Sequence, residues 1–142
     1  MTARILITGS RSWPDPQLLA DTLLDIWHDA TQNSHQDIVI VHGGADGADT
    51  LARLWAEGHG LEHEQHTAAW TCPCADTCPP GHRRQRRDGT EYCPLAGHRR
   101  NQHMVDLGAD LCLAFHHNHS TGTADCMRRA TAAGIPIRKV IA

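Results

Sequence analysis

The residues best able to do chemistry crowd the stretch 67–97 and its border. Four of the six cysteines, Cys72, Cys74, Cys78 and Cys93, fall there, with His82 among them and His98 just beyond. The spacing Cys74-x3-Cys78-x3-His82-x10-Cys93 offers three thiolates and one imidazole, a usual ligand set for tetrahedral structural zinc. Zinc would supply folding free energy to a segment with no legible hydrophobic periodicity. A disulfide pair or free thiols are the competing readings. A reducing compartment opposes the first and the clustering opposes the second. Cys72 and His98 are reserve ligands, with Cys72 the first substitute for Cys74. Four protein ligands leave no open position, so the metal reads as structural rather than catalytic. Cys112 and Cys126 fall in a strand and a helix and read as small buried residues.

A second chemistry lies in three glycine- and hydroxyl-rich turns. They are Gly9-Ser10-Arg11-Ser12-Trp13, Gly43-Gly44-Ala45-Asp46-Gly47-Ala48-Asp49, and His116 to Thr123, ending Ser120-Thr121-Gly122-Thr123. Each runs from an apolar stretch into a helical one. Free amides and the helix dipole at such a junction suit a phosphate or carboxylate. Arg11 and Arg100 can add bidentate contacts. The plainer reading is that strand-to-helix turns need glycine in any case. Asp46 can also be an N-cap with Asp49 three residues on, and a capping carboxylate would occupy amides that a phosphate needs. Three such turns at one sheet edge favour an anionic ligand. The sequence has neither G-x-x-x-x-G-K-[ST] nor G-x-G-x-x-G, so a Walker-type NTPase and an ordinary dinucleotide dehydrogenase are not supported.

Other features are weaker. His63-Glu64-Gln65-His66 lacks the HExxH spacing of a metalloprotease. His116, His117 and His119 read as a solvated loop. Arg83-Arg84-Gln85-Arg86-Arg87 reads as a solvated basic turn, with phosphate or nucleic-acid contact as its functional alternative. Trp13, Trp70 and Tyr92 either stack a base or simply pack.

The elements that position these residues alternate. Arg4–Thr8 and Asp37–His42 read as buried strands, Leu61–His66 as a weaker one, and Leu111–Phe115 and Ile135–Ile141 as the last two. Helices are expected over Pro16–Thr31, Ala48–Glu57, His98–Leu107 and Thr123–Ala133, with Leu51, Leu54 and Trp55 facing inward on the second. This order predicts an α/β, Rossmann-like, doubly wound and mainly parallel five-stranded sheet with helices on both faces. Its strands read as buried on both faces. Residues 1–142 form one domain, with 67–97 as an insert. Ligands in such folds sit at the carboxyl ends of the strands, where strand order reverses.

Composition sets the outer bounds. At 142 residues the chain has one domain's worth of sequence. No apolar run is long enough to span a bilayer, and no signal-peptide pattern is legible, so a cytoplasmic protein without membrane contact is expected. The formal charge of -3 hides an asymmetry. Residues 12–70 carry ten carboxylates and one cation, Arg53, whereas residues 71–100 carry six arginines and three carboxylates. The basic stretch can meet an anion, but the whole chain is not the polycation that nucleic-acid packaging needs.

Taken in order, several motifs resemble the YspA-type branch of the SLOG superfamily, which groups Smf/DprA-type with LOG-type proteins. They are Ile5-Leu6-Ile7-Thr8-Gly9-Ser10-Arg11, His42-Gly43-Gly44-Ala45-Asp46-Gly47-Ala48-Asp49, Arg100-Asn101, Gly108-Ala109-Asp110 and Gly122-Thr123-Ala124-Asp125. The resemblance spans essentially the whole chain, and a cysteine-bearing insert before Arg-Asn is similar to a variant of this branch. It implies a Rossmann-like fold that binds nucleotides or their derivatives. LOG-type enzymes cleave the N-glycosidic bond of nucleoside monophosphates with an arginine in RKxxM and a glutamate in PGGxGTxxE. Arg100-Asn101-Gln102-His103-Met104 matches the first, with Asn101 at the lysine position. The second departs: the glutamate position falls on Cys126, and Asp125 is one residue early. A carboxylate is needed beside a developing oxocarbenium ion, so a hydrolase would rest on Arg100 and Asp125. Smf/DprA-type proteins share the Gly-Ser-Arg, Gly-Gly-Ala-x-Gly and Arg-Asn motifs and bind single-stranded DNA.

The expectation is therefore a binding or sensing domain for a nucleotide-derived ligand. Nucleotide hydrolysis is the first alternative and single-strand binding the second. The expected ligand-binding residues are Gly9, Ser10, Arg11, Gly43, Gly44, Ala45, Asp46, Gly47, Asp49, Arg100, Asn101, Ser120, Gly122 and Thr123. Zinc would be held by Cys74, Cys78, His82 and Cys93. A homodimer is allowed, since relatives of this fold often pair.

Overall fold

The structure is a computed structural model and describes residues 2–33, 37–71 and 81–142. Apolar β-branched runs make the central strands. β1 (Thr2–Gly9) leads to α1 (Pro16–Gln32), β2 (Asp37–His42), α2 (Ala48–Gly58) and β3 (His63–Gln65). A two-stranded hairpin follows, β4 (Arg84–Gln85) and β5 (Glu91–Tyr92), then α3 (Ala96–Asp106), β6 (Leu111–His116), α4 (Thr121–Ala132) and β7 (Ile137–Ile141). The main sheet has five strands in the order β3-β2-β1-β6-β7. All four pairings in it are parallel. The expected doubly wound α/β architecture is present.

Alternation along β1 divides the core in two. Ile5 and Ile7 face α1 and α2 with Leu19, Leu23, Ile38, Ile40 and Phe115. Leu6 faces the other way, with Val41, Met104, Val105, Cys112 and Cys126 beneath α3 and α4. α1 starts where Pro16 follows Asp15, whose carboxylate accepts the Leu18 N–H at 2.9 Å.

α2 departs from expectation. Its buried stripe is Ala48, Asp49, Ala52 and Ala56 rather than the larger residues. Leu51 and Trp55 are half-buried and Leu54 is exposed. Small side chains at i, i+4 and i+8 let the helix lie close to the sheet, which displaces its bulky residues to the margin. The outer strands also differ, because β7 at the edge leaves Arg138, Lys139 and Ile141 exposed. A strand with one neighbour and a helix on one side has no second apolar layer to enter.

The insert has more local structure than its sequence reveals. Arg84 pairs with Tyr92 and Gln85 with Glu91, closed by a turn in which the Thr90 N–H donates to Asp88 Oδ1 at 2.9 Å. The Cys93 N–H donates to the Trp70 carbonyl at 2.7 Å. Ala68, Cys93 and Ala96 form a small apolar cluster with Trp70 and Leu95. α3 begins at Ala96, two residues before the expected start. Among the described residues no helix is long and apolar enough to cross a membrane.

Candidate functional site

The sheet order reverses between β1 and β6. From β1 the chain winds through α1 toward β2, and from β6 it winds through α4 toward β7. Loops leaving the two strands must therefore diverge and open a crevice. A cavity of about 490 Å³ lies there. Gly9, Ser10, Arg11 and Ser12 form one wall; His117, Asn118, Ser120, Gly122 and Thr123 form the other. Ala45 and Asp49 contribute from the second glycine turn, and Trp70, His98, Arg100 and Asn101 close the side nearest the insert.

The expected site residues thus divide. Gly9, Ser10, Arg11, Ala45, Asp49, Arg100, Asn101, Ser120, Gly122 and Thr123 line the cavity; Gly43, Gly44, Asp46, Gly47 and Asp125 do not. The three turns also differ in what they offer an anion. In the second, the Gly43 and Ala45 N–H groups donate to Asp49 Oδ2 at 3.1 and 3.3 Å. The Gly44 N–H donates to His42 Nδ1 at 3.1 Å, and the Ala48 N–H to the Ser10 carbonyl at 3.2 Å. Those amides are spent inside the protein. Gly47 caps α2 without a side-chain bond, in place of the expected Asp46, which is exposed. Gly47 adopts φ +80°, and a Cβ there would overlap the Ser10 and Arg11 carbonyls.

In the first turn Ser10 is a tie rather than a free hydroxyl. Its Oγ donates to the His117 carbonyl and accepts the His117 N–H at 2.8 Å, while its own N–H donates to the Phe115 carbonyl at 2.9 Å. This side chain locks the two diverging loops together. The third turn keeps open donors. Ser120 is the N-cap of α4; its Oγ accepts from Thr123 Oγ1 at 2.9 Å and from the Thr123 N–H at 3.4 Å. Thr121 and Gly122 occupy the first two helical positions, where N–H groups have no intrahelical acceptor. Asn118 and His119 just before them both have φ +52°, a region that residues with a Cβ seldom adopt.

Arg100 ties α3 to the second glycine turn. Its Nη1 donates to the Gly43 carbonyl at 2.8 Å and its Nε to Asn101 Oδ1 at 3.2 Å. Burial lowers its pKa from the ordinary arginine value, while the Asp49 carboxylate pulls the other way. Asn101 is buried and donates through Nδ2 to Asp125 Oδ2 at 3.1 Å. Asp125 also receives Arg129 Nε at 2.9 Å and Arg128 Nη2 at 2.5 Å. Its side chain is 2% exposed. Burial raises its pKa, but the bonds from Arg129 and Asn101 outweigh that and hold the carboxyl below its ordinary value. It is an anchor between α3 and α4. Cys126, at the position where a hydrolase would need its glutamate, is wholly buried and packs in the same core cluster as Cys112.

Asp49 is the carboxylate that lines the cavity. One oxygen takes the two amides named above; the other, Oδ1, is buried and has no partner among the described residues. Burial pushes its pKa up to about 6, against the lowering effect of the Ala45 and Gly43 amides and of Arg100 and Arg11.

Of the expected zinc ligands, Cys74 and Cys78 lie outside the described residues, as does Cys72. His82 Nε2 and the wholly buried Cys93 Sγ lie 3.3 Å apart, with Arg99 Nη1 at 3.4 Å from the same sulfur. Among the described residues no three His, Cys, Asp or Glu side chains converge on a metal position. His98, the other reserve, faces the cavity and lies 4.0 Å from Asp125. In the basic turn, Arg83 meets Glu91 at 3.5 Å and Arg86 covers the Tyr92 ring at 5.2 Å.

The aromatic residues separate too. Trp13 is buried edge-on against Phe115, so it packs. Trp70 lines the cavity. Met104, His98 and His117 also line it and were not expected to. The sequence signals for them were indirect: Met104 ends the match to RKxxM that starts at Arg100, and His117 lies in the third turn, just past a strand end.

Comparison with known proteins places this arrangement. Residues 3–72 match the family described as YAcAr: YspA, cpYpsA-related SLOG family. The Gene 61 protein of Mycobacterium phage D29 is 41% identical over 139 residues, which covers 94% of this chain and 93% of that one. The X-ray structure of TM1055 shares the fold, with a TM-score of 0.56 at 17% identity over 95% of this chain and 72% of that one.

Proposed function

We propose, from the premise that this chain belongs to the YspA, cpYpsA-related SLOG family, that it binds a nucleotide or nucleotide-derived ligand in the switch-point cavity and does not turn it over. The observation that carries this reading is the pairing of open donors with a cation across one crevice. Ser120, Thr121, Gly122 and Thr123 at the start of α4 line the same cavity as Arg100 and Arg11. A phosphate fits between them, since N-terminal amides and guanidinium groups both donate to anionic oxygens. Trp70 on the insert side offers a face for a base. Binding is favoured over N-glycosidic cleavage because Asp125 is saturated by Asn101, Arg128 and Arg129 and lies outside the cavity.

Calorimetric titration with adenosine 5′-monophosphate and with adenosine tests the reading. The monophosphate should bind at least about tenfold more tightly, and Arg100→Ala should remove most of that advantage. Equal affinity for both compounds, or binding of neither, would overturn it. Release of free adenine on incubation would overturn the non-catalytic part alone.

For the insert we propose a structural zinc ion held by Cys74, Cys78, His82 and Cys93. Two tetrahedral ligands on zinc, one sulfur and one nitrogen, stand roughly 3.5 Å apart, which suits the 3.3 Å between Cys93 and His82. Elemental analysis of the purified protein should find one zinc per chain, and Cys93→Ser should lose it. A metal-free wild-type protein with intact thiols would refute the assignment.

A further inference from the structure

Resting on that nucleotide reading, we propose that Asp49 is the sugar-recognition residue of the cavity: its unpartnered Oδ1 accepts a hydrogen bond from a hydroxyl of the ligand's pentose. Three observations converge on it. Asp49 lines the cavity, it is 5% exposed, and its Oδ1 is a buried oxygen with no partner among the described residues. Buried polar atoms in folded proteins are almost always satisfied, so an orphan on a cavity wall marks a place for a ligand's polar atom. Its other oxygen is fixed by the Gly43 and Ala45 amides, so the carboxylate is oriented before anything binds.

The chemistry of the partner follows from the charges around Asp49. A phosphate is repelled by a carboxylate, so the anionic end of the ligand belongs at α4 and Arg100. An ammonium group is opposed by Arg100 and Arg11, both close enough to act on Asp49. A neutral donor remains. A hydroxyl both donates and accepts, so it can give its proton to Asp49 while taking one from a neighbouring donor. In a nucleoside monophosphate the pentose supplies such hydroxyls, and it lies between the phosphate and the base. The upward-shifted pKa fits the same picture, because a carboxylate held in a dry wall gains from a new donor.

The experiment is a binding series on wild type and Asp49→Asn with four probes: adenosine 5′-monophosphate, its 2′-deoxy and 3′-deoxy analogues, and ribose 5-phosphate. Asn keeps an oxygen for the Gly43 and Ala45 amides and replaces the orphan acceptor with an N–H donor. Wild type should bind the ribonucleotide at least about tenfold more tightly than one of the two deoxy analogues. In Asp49→Asn that preference should fall to within about twofold, and ribose 5-phosphate should lose affinity as the ribonucleotide does. Equal wild-type affinity for all three nucleotides overturns the inference and leaves the nucleotide reading standing. So does a loss in Asp49→Asn that is the same for every nucleotide, or one absent from ribose 5-phosphate, which would place the base against Asp49. Failure of every probe to bind wild type overturns both. If the variant does not fold, the wild-type series still decides.

Discussion

A residue kept for ligand recognition at the expense of stability should reveal itself when neutralised, and Asp49 allows the size to be worked out. Its carboxyl moves from an ordinary 3.8 in the unfolded chain to about 6 in the folded protein. The folded state therefore holds the proton more tightly, and between these values it binds more protons than the unfolded state. Stability from this group is thus present at low pH and is lost as pH rises from about 4 to about 6. Above that range the cost is on the order of 3 kcal/mol. Asp49→Asn removes the charge but leaves an amide N–H unpaired in the wall, which offsets about 1 kcal/mol. The variant should then be about 2 kcal/mol more stable than wild type at pH 7.5, roughly 5 °C in Tm for a domain of this size. The gap should close toward pH 4. Thermal denaturation of both proteins at pH 7.5, 6, 5 and 4 without ligand measures it. A variant less stable than wild type at pH 7.5, or a gap that does not change with pH, would refute the reasoning about the buried carboxylate.

Other perturbations separate architecture from recognition. Gly47→Ala forces a Cβ into the Ser10 and Arg11 carbonyls at φ +80°; it should cost about 3 kcal/mol or more, read as a large fall in Tm or loss of soluble protein. In Gly43→Ala the atoms nearest the new Cβ belong to the Arg100 guanidinium, a side-chain end that can shift at the loss of its bond to the Gly43 carbonyl, so Tm should fall by less than in Gly47→Ala while affinity for adenosine 5′-monophosphate falls at least about tenfold. His42 is wholly buried, with its pKa lowered to about 4, chiefly by burial and then by His63, Arg53, His66 and Arg100. Its neutral ring accepts from Gly44 and meets His63 Nδ1 at 3.0 Å. A lowered histidine pKa means the folded state resists protonation, so stability present above pH 6.5 is lost as pH falls toward 4. In the Asp49→Asn background, which removes the opposing trend, urea midpoints should drop between pH 7 and pH 5, and His42→Gln should flatten that slope.

Most of the fold was legible because its signals are local. The β-branched run Ile38–Val41 and the spacing of Leu19, Leu23 and Ile26 mark a strand and a helix wherever they occur. The observed elements keep within a few residues of those expectations. The hairpin Arg84–Gln85 with Glu91–Tyr92 was not legible, since two-residue strands carry no periodicity. On α2 the sequence favoured Leu54 and Trp55 for the core, but packing against the sheet selected the alanines. Periodicity gives a face, whereas the distance to the neighbouring layer decides which width of side chain that face holds.

The site divides along the same line. Glycine turns before helices, and an arginine one helix away, are properties of chain order, so the sequence alone determined that anion-suited loops would gather at one sheet edge. Which amides stay open depends on partners far along the chain or folded back within a turn. Ser10 is consumed by His117, and Asp125 by Asn101 as well as by its own helix. The amides of the second turn go to Asp49 and His42. Hydrogen bonds are short-ranged and directional, and each donor serves one acceptor well. Only the tertiary structure could decide that the third turn keeps its donors and that Asp49, rather than Asp125, brings a carboxylate to the cavity wall.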